Sequence, residues 1–219
     1  MTKVLQIIAA LEEHFGVPRP ERIKDPLSEL VFTILSQNTT DKNRDRAYDN
    51  LKRHFYHWED VMAATAAQIE EQIRVGGLGP QKSKRIKTIL TEIVRRRGEL
   101  SLDYLRDLDT DDARHELLSF VGVGEKTAAI VLLFSLGKPA FPVDTHVLRV
   151  TKRLGLVPEK ADATKAHRIL GDLVPSEKYY PSHINLIHLG KTICRPKNPR
   201  CPECPLLTCC PYGRELVKR

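Results

Sequence analysis

Apolar residues recur along this chain at intervals of three and four, the spacing that gathers them on one face of a helix. Leu27, Leu30, Val31, Ile34 and Leu35 form such a stripe behind Asp25-Pro26, an N-cap followed by proline at the first helical position. The pattern predicts a helix from near Asp41 burying Ala47, Tyr48, Leu51 and Phe55, and another behind a Thr65/Gln68 capping box burying Ile69 and Ile73. Pro80 to Arg97 carries Ile86, Ile89, Leu90, Ile93 and Val94 on one side and stops at Gly98, and Thr110 to Ser119 leads into a glycine hairpin and a further apolar helix. After Pro142, helices are predicted near Asp144 to Leu154, over Asp162 to Val174 and over Tyr179 to Ile193, while Val4 to Leu11 supplies one at the N-terminus. Neither a strand alternation nor a repeat of fixed period interrupts this, so the expected fold class is all-α. From Cys194 onward proline, cysteine and basic residues replace the periodicity, and something other than a helix face must hold that segment.

Composition narrows the picture. With 219 residues and 41% hydrophobic content the chain can bury a core without help from metal or disulfides. Its longest uncharged apolar run, Thr127 to Gly137, has eleven residues, against the roughly 18 that a spanning helix needs. No membrane segment is expected, and with no cleavage site after Leu11 the sequence reads as a cytosolic, nucleoid-associated protein. A net charge of +7 points to a polyanionic partner, although such a charge also serves solubility. It is unevenly spread: Arg74 to Arg97 holds eight Lys or Arg and one acid, Glu99 to Glu116 seven acids and two Arg. The basic stretch opens with Gly76-Gly77-Leu78-Gly79-Pro80, a turn able to present backbone N–H groups to a phosphate.

The stretch Phe120-Val121-Gly122-Val123-Gly124-Glu125-Lys126-Thr127-Ala128 places two glycines, one residue apart, between helices. It reads as a helix-hairpin-helix, which grips one DNA strand by its backbone, or as an ordinary turn between helices. Lys126 falls in the first turn of the next helix, where the positive end of the helix dipole opposes an ammonium. A neutral lysine there can attack an electrophilic carbon and form a Schiff base; the plainer role is a phosphate contact. Its neighbour Glu125 favours the charged amine, an effect softened because adjacent helical side chains diverge. Asp144, eighteen residues on in Pro142-Val143-Asp144-Thr145-His146, puts a carboxylate at a helix start, as an N-cap, as a group facing a cation, or as both.

Cys194, Cys201, Cys204 and Cys210 are spaced C-x6-C-x2-C-x5-C. In a cytosolic chain this spacing reads as thiolate ligation of zinc or of an iron-sulfur cluster, between which it does not choose. Every coordination position would be filled by protein, so the site is structural. Arg195, Lys197 and Arg200 crowd its first loop and suit DNA phosphates.

Together these residues resemble the endonuclease III family of DNA glycosylases. The carriers are Gly122-Val123-Gly124 with Lys126-Thr127-Ala128, then Val143-Asp144-Thr145-His146, then the four cysteines at the family's [4Fe-4S] spacing. The resemblance implies a two-domain helix-hairpin-helix glycosylase fold, with a six-helix domain over residues 19–138 and a four-helix cluster domain from residues 1–18 and 139–219. It implies that Lys126 attacks C1′ while Asp144 assists departure of the base, with the substrate in a groove between the domains. It further implies a [4Fe-4S] cofactor on the four cysteines. Leu35-Ser36-Gln37-Asn38-Thr39-Thr40-Asp41 is similar to the family segment whose amide fills the gap left by a flipped base, with Asn38 standing where Gln is usual and Gln37 just before it. Gly77-Leu78 is similar to the turn whose Leu wedges the duplex, and Phe120-Val121 replaces the usual Leu-Pro. His146, Lys191, Arg195, Lys197 and Arg200 join Gly122, Val123, Gly124, Gln37, Asn38 and Leu78 as expected DNA contacts. The implied function is a monomeric, bifunctional DNA glycosylase and AP lyase that excises oxidised pyrimidines from double-stranded DNA and nicks abasic sites by β-elimination. The alternatives are a mismatch-specific uracil or thymine glycosylase of the same superfamily and a non-catalytic DNA-binding module.

Overall fold

The computed structural model describes residues 2–20 and 25–218. Its helices are, in chain order, α1 (Lys3–Phe15), α2 (Pro26–Leu35), α3 (Asp41–His54), α4 (Trp58–Ala63), α5 (Ala66–Ile73), α6 (Gly79–Arg97), α7 (Thr110–Leu118), α8 (Glu125–Ser135), α9 (Thr145–Arg153), α10 (Ala163–Leu173), α11 (Tyr179–Thr192) and α12 (Pro211–Val217). Among the described residues there is no strand, and the fold is all-α. No helix of the described residues is long and apolar enough to cross a membrane. The chain divides into two compact units, residues 23–137 and residues 1–22 with 138–219.

Within residues 23–137 the core forms around α2. Leu27, Leu30, Val31, Ile34 and Leu35 are each 2% exposed or less, and every such side chain gains about 1.5–3 kcal/mol on leaving water. Helix α2 packs on α3, α6 and α8, and α6 packs on α5. Starts are set by local chemistry: Asp25 Oδ1 accepts from Ser28 N at 2.9 Å, Thr40 caps α3, and Thr65 with Gln68 closes the reciprocal box. Helix α4 escapes the periodicity because it buries only Val61, and its start is marked by Asp60 Oδ2, which accepts from His57 N at 3.2 Å.

In the other unit α11 packs on α1 and α9. Glu12 pairs with Lys178 at 2.8 Å, and Asn185 Nδ2 donates to Gly16 O at 3.0 Å. Helices α9 and α11 touch so closely that a Cβ on Gly190 would fall 2.9 Å from His146 Cβ. The C-terminal segment is not wholly without helix: α12 starts at Cys210, whose Sγ accepts from Gly213 N at 3.3 Å. With Gly213 its one buried residue, α12 leaves no apolar period to read.

Candidate functional site

The hairpin sits between α7 and α8. Gly122 takes φ 72°, a left-handed conformation that glycine adopts without cost, and Val123 N closes the turn onto Phe120 O at 3.1 Å. Val123 is 6% exposed and its N–H is engaged within the turn, so its side chain and amide shape the hairpin. Gly124 caps α8 without a side chain, which leaves the first N–H groups of that helix available to an anion. Lys126 is half-buried in this first turn, and among the described residues no hydrogen bond or ion pair engages its Nζ. Glu125 is drawn off by Arg114, whose Nη2 lies 2.7 Å and Nε 2.8 Å from Glu125 Oε2.

The loop after α2 and the turn before α6 lie side by side in the same unit. Asn38 is exposed at φ 51° and Leu78 is 43% exposed at φ 52°, so two residues with side chains hold a region that disfavours them. A leucine this exposed on a left-handed backbone holds strain of the kind that clusters at functional sites. A Cβ on Gly77 would lie 4.0 Å from Asn38 O, so the two strained positions are neighbours. Lys82, only 1% exposed, binds both segments: its Nζ donates to Leu35 O and to Gly76 O, each at 2.8 Å. Burial, with the Arg85 charge behind it, pushes this ammonium down to about 8. Gln37 is half-buried and accepts from Arg85 Nη1 at 2.5 Å, so it is anchored where Asn38 is presented. The turn before α6 is a poor phosphate cradle: Pro80 has no N–H, and those of Gln81 and Lys82 go to Leu78 O.

In the other unit Asp144 is the N-cap of α9, its Oδ1 accepting from Val147 N at 2.7 Å. Two buried histidines hold the segment leading to it. His167 Nδ1 donates to Phe141 O at 2.8 Å and His183 Nδ1 to Pro142 O at 3.0 Å, since a carbonyl can only accept. Arg149 Nη2 lies 3.2 Å from His146 Nδ1 and donates to Gly190 O at 2.8 Å. Guanidinium cannot accept, so His146 Nδ1 is unprotonated and the ring's hydrogen is on Nε2.

Cys194, Cys201, Cys204 and Cys210 line one small cavity together with Ile193, Leu207, Tyr212 and Gly213. Cys209 does not line it; its thiol donates to Leu206 O at 3.3 Å. Burial, with the other thiolates adding to it, pushes Cys204 up to about 11 and raises Cys201 and Cys210, so a cationic group is needed to hold four thiolates there. Among the described residues no three His, Cys, Asp or Glu are grouped to hold a metal ion. The first loop is closed by Ile193 O, which accepts from both Arg195 N and Arg200 N, and Arg153 Nη1 donates to Cys194 Sγ at 3.4 Å. Lys191, Arg195, Lys197 and Arg200 are exposed around it, but Arg200 Nε is spent on Glu203 at 2.7 Å.

Lys82, Arg85, Arg114, Arg149, His167 and His183 were not among the expected site residues. Only Lys82 carries a signal in the sequence, a lysine falling on the buried stripe of its own helix.

A family model described as HhH-GPD superfamily base excision DNA repair protein matches residues 31–176. An Arabidopsis thaliana protein named as a candidate DNA glycosylase is 44% identical over 165 residues, 75% of this chain but 56% of that relative, so the chain spans little more than half its length. Endonuclease III of Thermotoga maritima is 34% identical over 201 residues, covering 92% of this chain and 90% of its own. A solved structure of a trapped covalent intermediate of endonuclease III with DNA matches at TM-score 0.85 and 28% identity over 99% of both chains. A thermostable thymine-DNA glycosylase matches at TM-score 0.81 and 23% identity over 97% of both, a likeness of fold.

Proposed function

Because the chain belongs to the HhH-GPD superfamily of base excision DNA repair proteins and is an endonuclease III-like DNA glycosylase, we propose that it is bifunctional, excising oxidised pyrimidines from duplex DNA and nicking the abasic product. The observation that carries this is Lys126: half-buried at the start of α8, unengaged among the described residues, and relieved of the adjacent carboxylate by Arg114. Such an amine attacks C1′ of the damaged nucleotide as the base departs, with Asp144 stabilising the positive charge that develops on the sugar. The imine that results acidifies the C2′ proton, whose removal expels the 3′ phosphate and breaks the strand; water then releases Lys126.

Access to C1′ requires the nucleotide to leave the stack. Leu78 suits the wedge, being apolar, exposed and rigidly held, and Asn38 suits the plug better than Gln37, whose amide Arg85 already engages. The hairpin of Gly122 and Gly124 with the open start of α8 suits a phosphate of the same strand. In the other unit His146 Nε2–H, Lys191, Arg195 and Lys197 are donors suited to the backbone.

We assign the four cysteines, which line one common cavity, to a [4Fe-4S] cluster, the cofactor that the endonuclease III likeness favours over a single zinc ion. When bound, the cluster cross-links the segment from Cys194 to Cys210 and leaves no position for substrate.

The test is borohydride reduction on duplexes that carry one oxidised pyrimidine, one uracil or thymine mismatch, or one abasic site. We expect a covalent adduct with the oxidised pyrimidine and the abasic site. Base release from a mismatch without any adduct would instead favour the monofunctional mismatch reading.

A further inference from the structure

Helix α6 begins at the wedge and runs beneath each element assigned above to the handling of DNA in residues 23–137. Lys82, one turn in from Leu78, ties the backbones of the plug loop and the wedge turn. Arg85, nearly a turn further, reaches the other way. Its Nη1 donates to Gln37 Oε1 at 2.5 Å, while a Cβ on Gly122 would fall 2.1 Å from its Nε and 2.4 Å from its Cζ. The guanidinium thus fills the space over the hairpin turn and is bonded at its tip to the loop that presents Asn38. Arg96, three turns along, holds the hairpin's other flank, with Nη1 2.7 Å from Ser119 Oγ and its guanidinium carbon 5.0 Å from the Phe120 ring centre.

We propose that Arg85 is a positioning residue for base eversion: seated on Gly122 and bonded to Gln37, it fixes the distance between the hairpin that grips the DNA backbone and the Asn38 side chain that enters the vacated stack. This rests on the function proposed above. The physical case is one of register. A hairpin holds a strand through its phosphates and carries no information about where the gap will open. A plug that must enter between stacked bases needs a rigid reference to that grip, because a misplacement of an ångström costs orders of magnitude in rate. The Lys82 bonds stop at Leu35 O, two residues short of Gln37, and so fix the base of the loop and not its tip. Arginine suits the link because its planar fork can lie flat on a glycine and still donate sideways, which a lysine cannot do.

The experiment uses the full chain with Arg85→Met, Arg85→Lys, Gln37→Leu and the Arg85→Met/Gln37→Leu pair, each checked by thermal unfolding. One duplex carries a lesion beside 2-aminopurine, whose fluorescence reports unstacking; the other carries a preformed abasic site for borohydride trapping. We expect each single variant to slow the fluorescence change and single-turnover excision roughly tenfold, the worth of one charge-assisted hydrogen bond. The pair should be no slower than its slower member, because both changes break one link. Trapping on the abasic duplex should stay within about twofold, since no base has to be replaced in the stack there. Rescue by Arg85→Lys, or an equal fall in abasic trapping, makes Arg85 a simple phosphate contact and overturns the proposal, as do additive effects in the pair. A wild type that traps abasic DNA yet excises no lesion overturns the eversion role while leaving the lyase reading intact. A wild type inactive on both duplexes overturns the proposed function and this inference with it.

Discussion

Arg114 and Glu125 form an ion pair across 2.7 Å, from α7 to the first residue of α8. The carboxylate next in sequence to Lys126 is therefore committed elsewhere, and the same pair ties α7 to the start of α8 across the hairpin. Arg114→Ala frees that carboxylate to pair with the Lys126 amine, so imine trapping on abasic DNA should slow while duplex binding persists. Lys126→Gln should abolish trapping and nicking at every pH while duplex binding persists. Trapping by Lys126→Gln at the wild-type level would remove the residue from the chemistry.

Asp144 both caps α9 and carries a carboxylate, and the two roles separate by substitution. Asn also caps helices, so Asp144→Asn should keep the melting temperature but lose most turnover. Asp144→Ala should lose turnover and about 1 kcal/mol of stability as well. Equal turnover in Asp144→Asn and wild type would reduce the residue to its structural role.

What the sequence disclosed and what it withheld follow from the range of the forces involved. Caps at Asp25, Thr65 and Asp144 were legible because a cap joins residues three apart, and the four cysteines because ligation leaves a spacing. The stripe on α6 was legible, and with it the oddity of Lys82. Arg85 was not: its partner Gln37 is 48 residues away and the glycine it covers is 37 away, so nothing local marks it among seven other basic residues in its stretch. A G-V-G pattern does not say which way its central side chain turns, so the burial of Val123 is not legible in it. The Arg200–Glu203 pair is three residues apart on the surface, so the sequence carries both partners but not whether the arginine turns to the carboxylate or to a phosphate.

Leu78 holds a left-handed backbone that costs a leucine about 1–2 kcal/mol and a glycine nothing. Leu78→Gly should therefore unfold no earlier than wild type by calorimetry, yet excise lesions from duplex DNA far more slowly, because the wedge is gone. A variant that kept full excision would show that the strain serves no opening of the duplex.

Lys82 makes stability depend on pH in a defined sense. Its folded value, about 8, lies below its ordinary 10.5, so between these limits the unfolded chain binds more protons than the native one. Its contribution to stability must then rise as pH climbs from about 8 toward 10.5, and stay flat below that window where both states are protonated. Urea midpoints for wild type relative to Lys82→Met should show this rise. The variant should also be less stable at neutral pH by about 1–3 kcal/mol per carbonyl left bare, at Leu35 and Gly76.

Cys209 and Cys210 are adjacent, and the structure assigns them opposite duties. The Cys210 thiol lines the cavity with Cys194, Cys201 and Cys204 and caps α12 through Gly213 N, whereas the Cys209 thiol donates to Leu206 O. Cys209→Ser should keep that bond, because a hydroxyl also donates, and should purify with the full iron and sulfide content of wild type. Cys210→Ser retains an acceptor for the cap but offers a hard alkoxide precursor in place of a soft thiolate, so iron and colour should fall together. Chelation of the metal from wild type should lower the melting temperature, since the raised thiols then reprotonate and the cross-link through Cys194 to Cys210 is lost. Chelation should change Cys210→Ser much less, the link being absent already. Iron retained by Cys210→Ser and lost by Cys209→Ser would move the fourth ligand by one residue, and stoichiometric zinc without iron in wild type would replace the cluster with a single ion on the same thiolates.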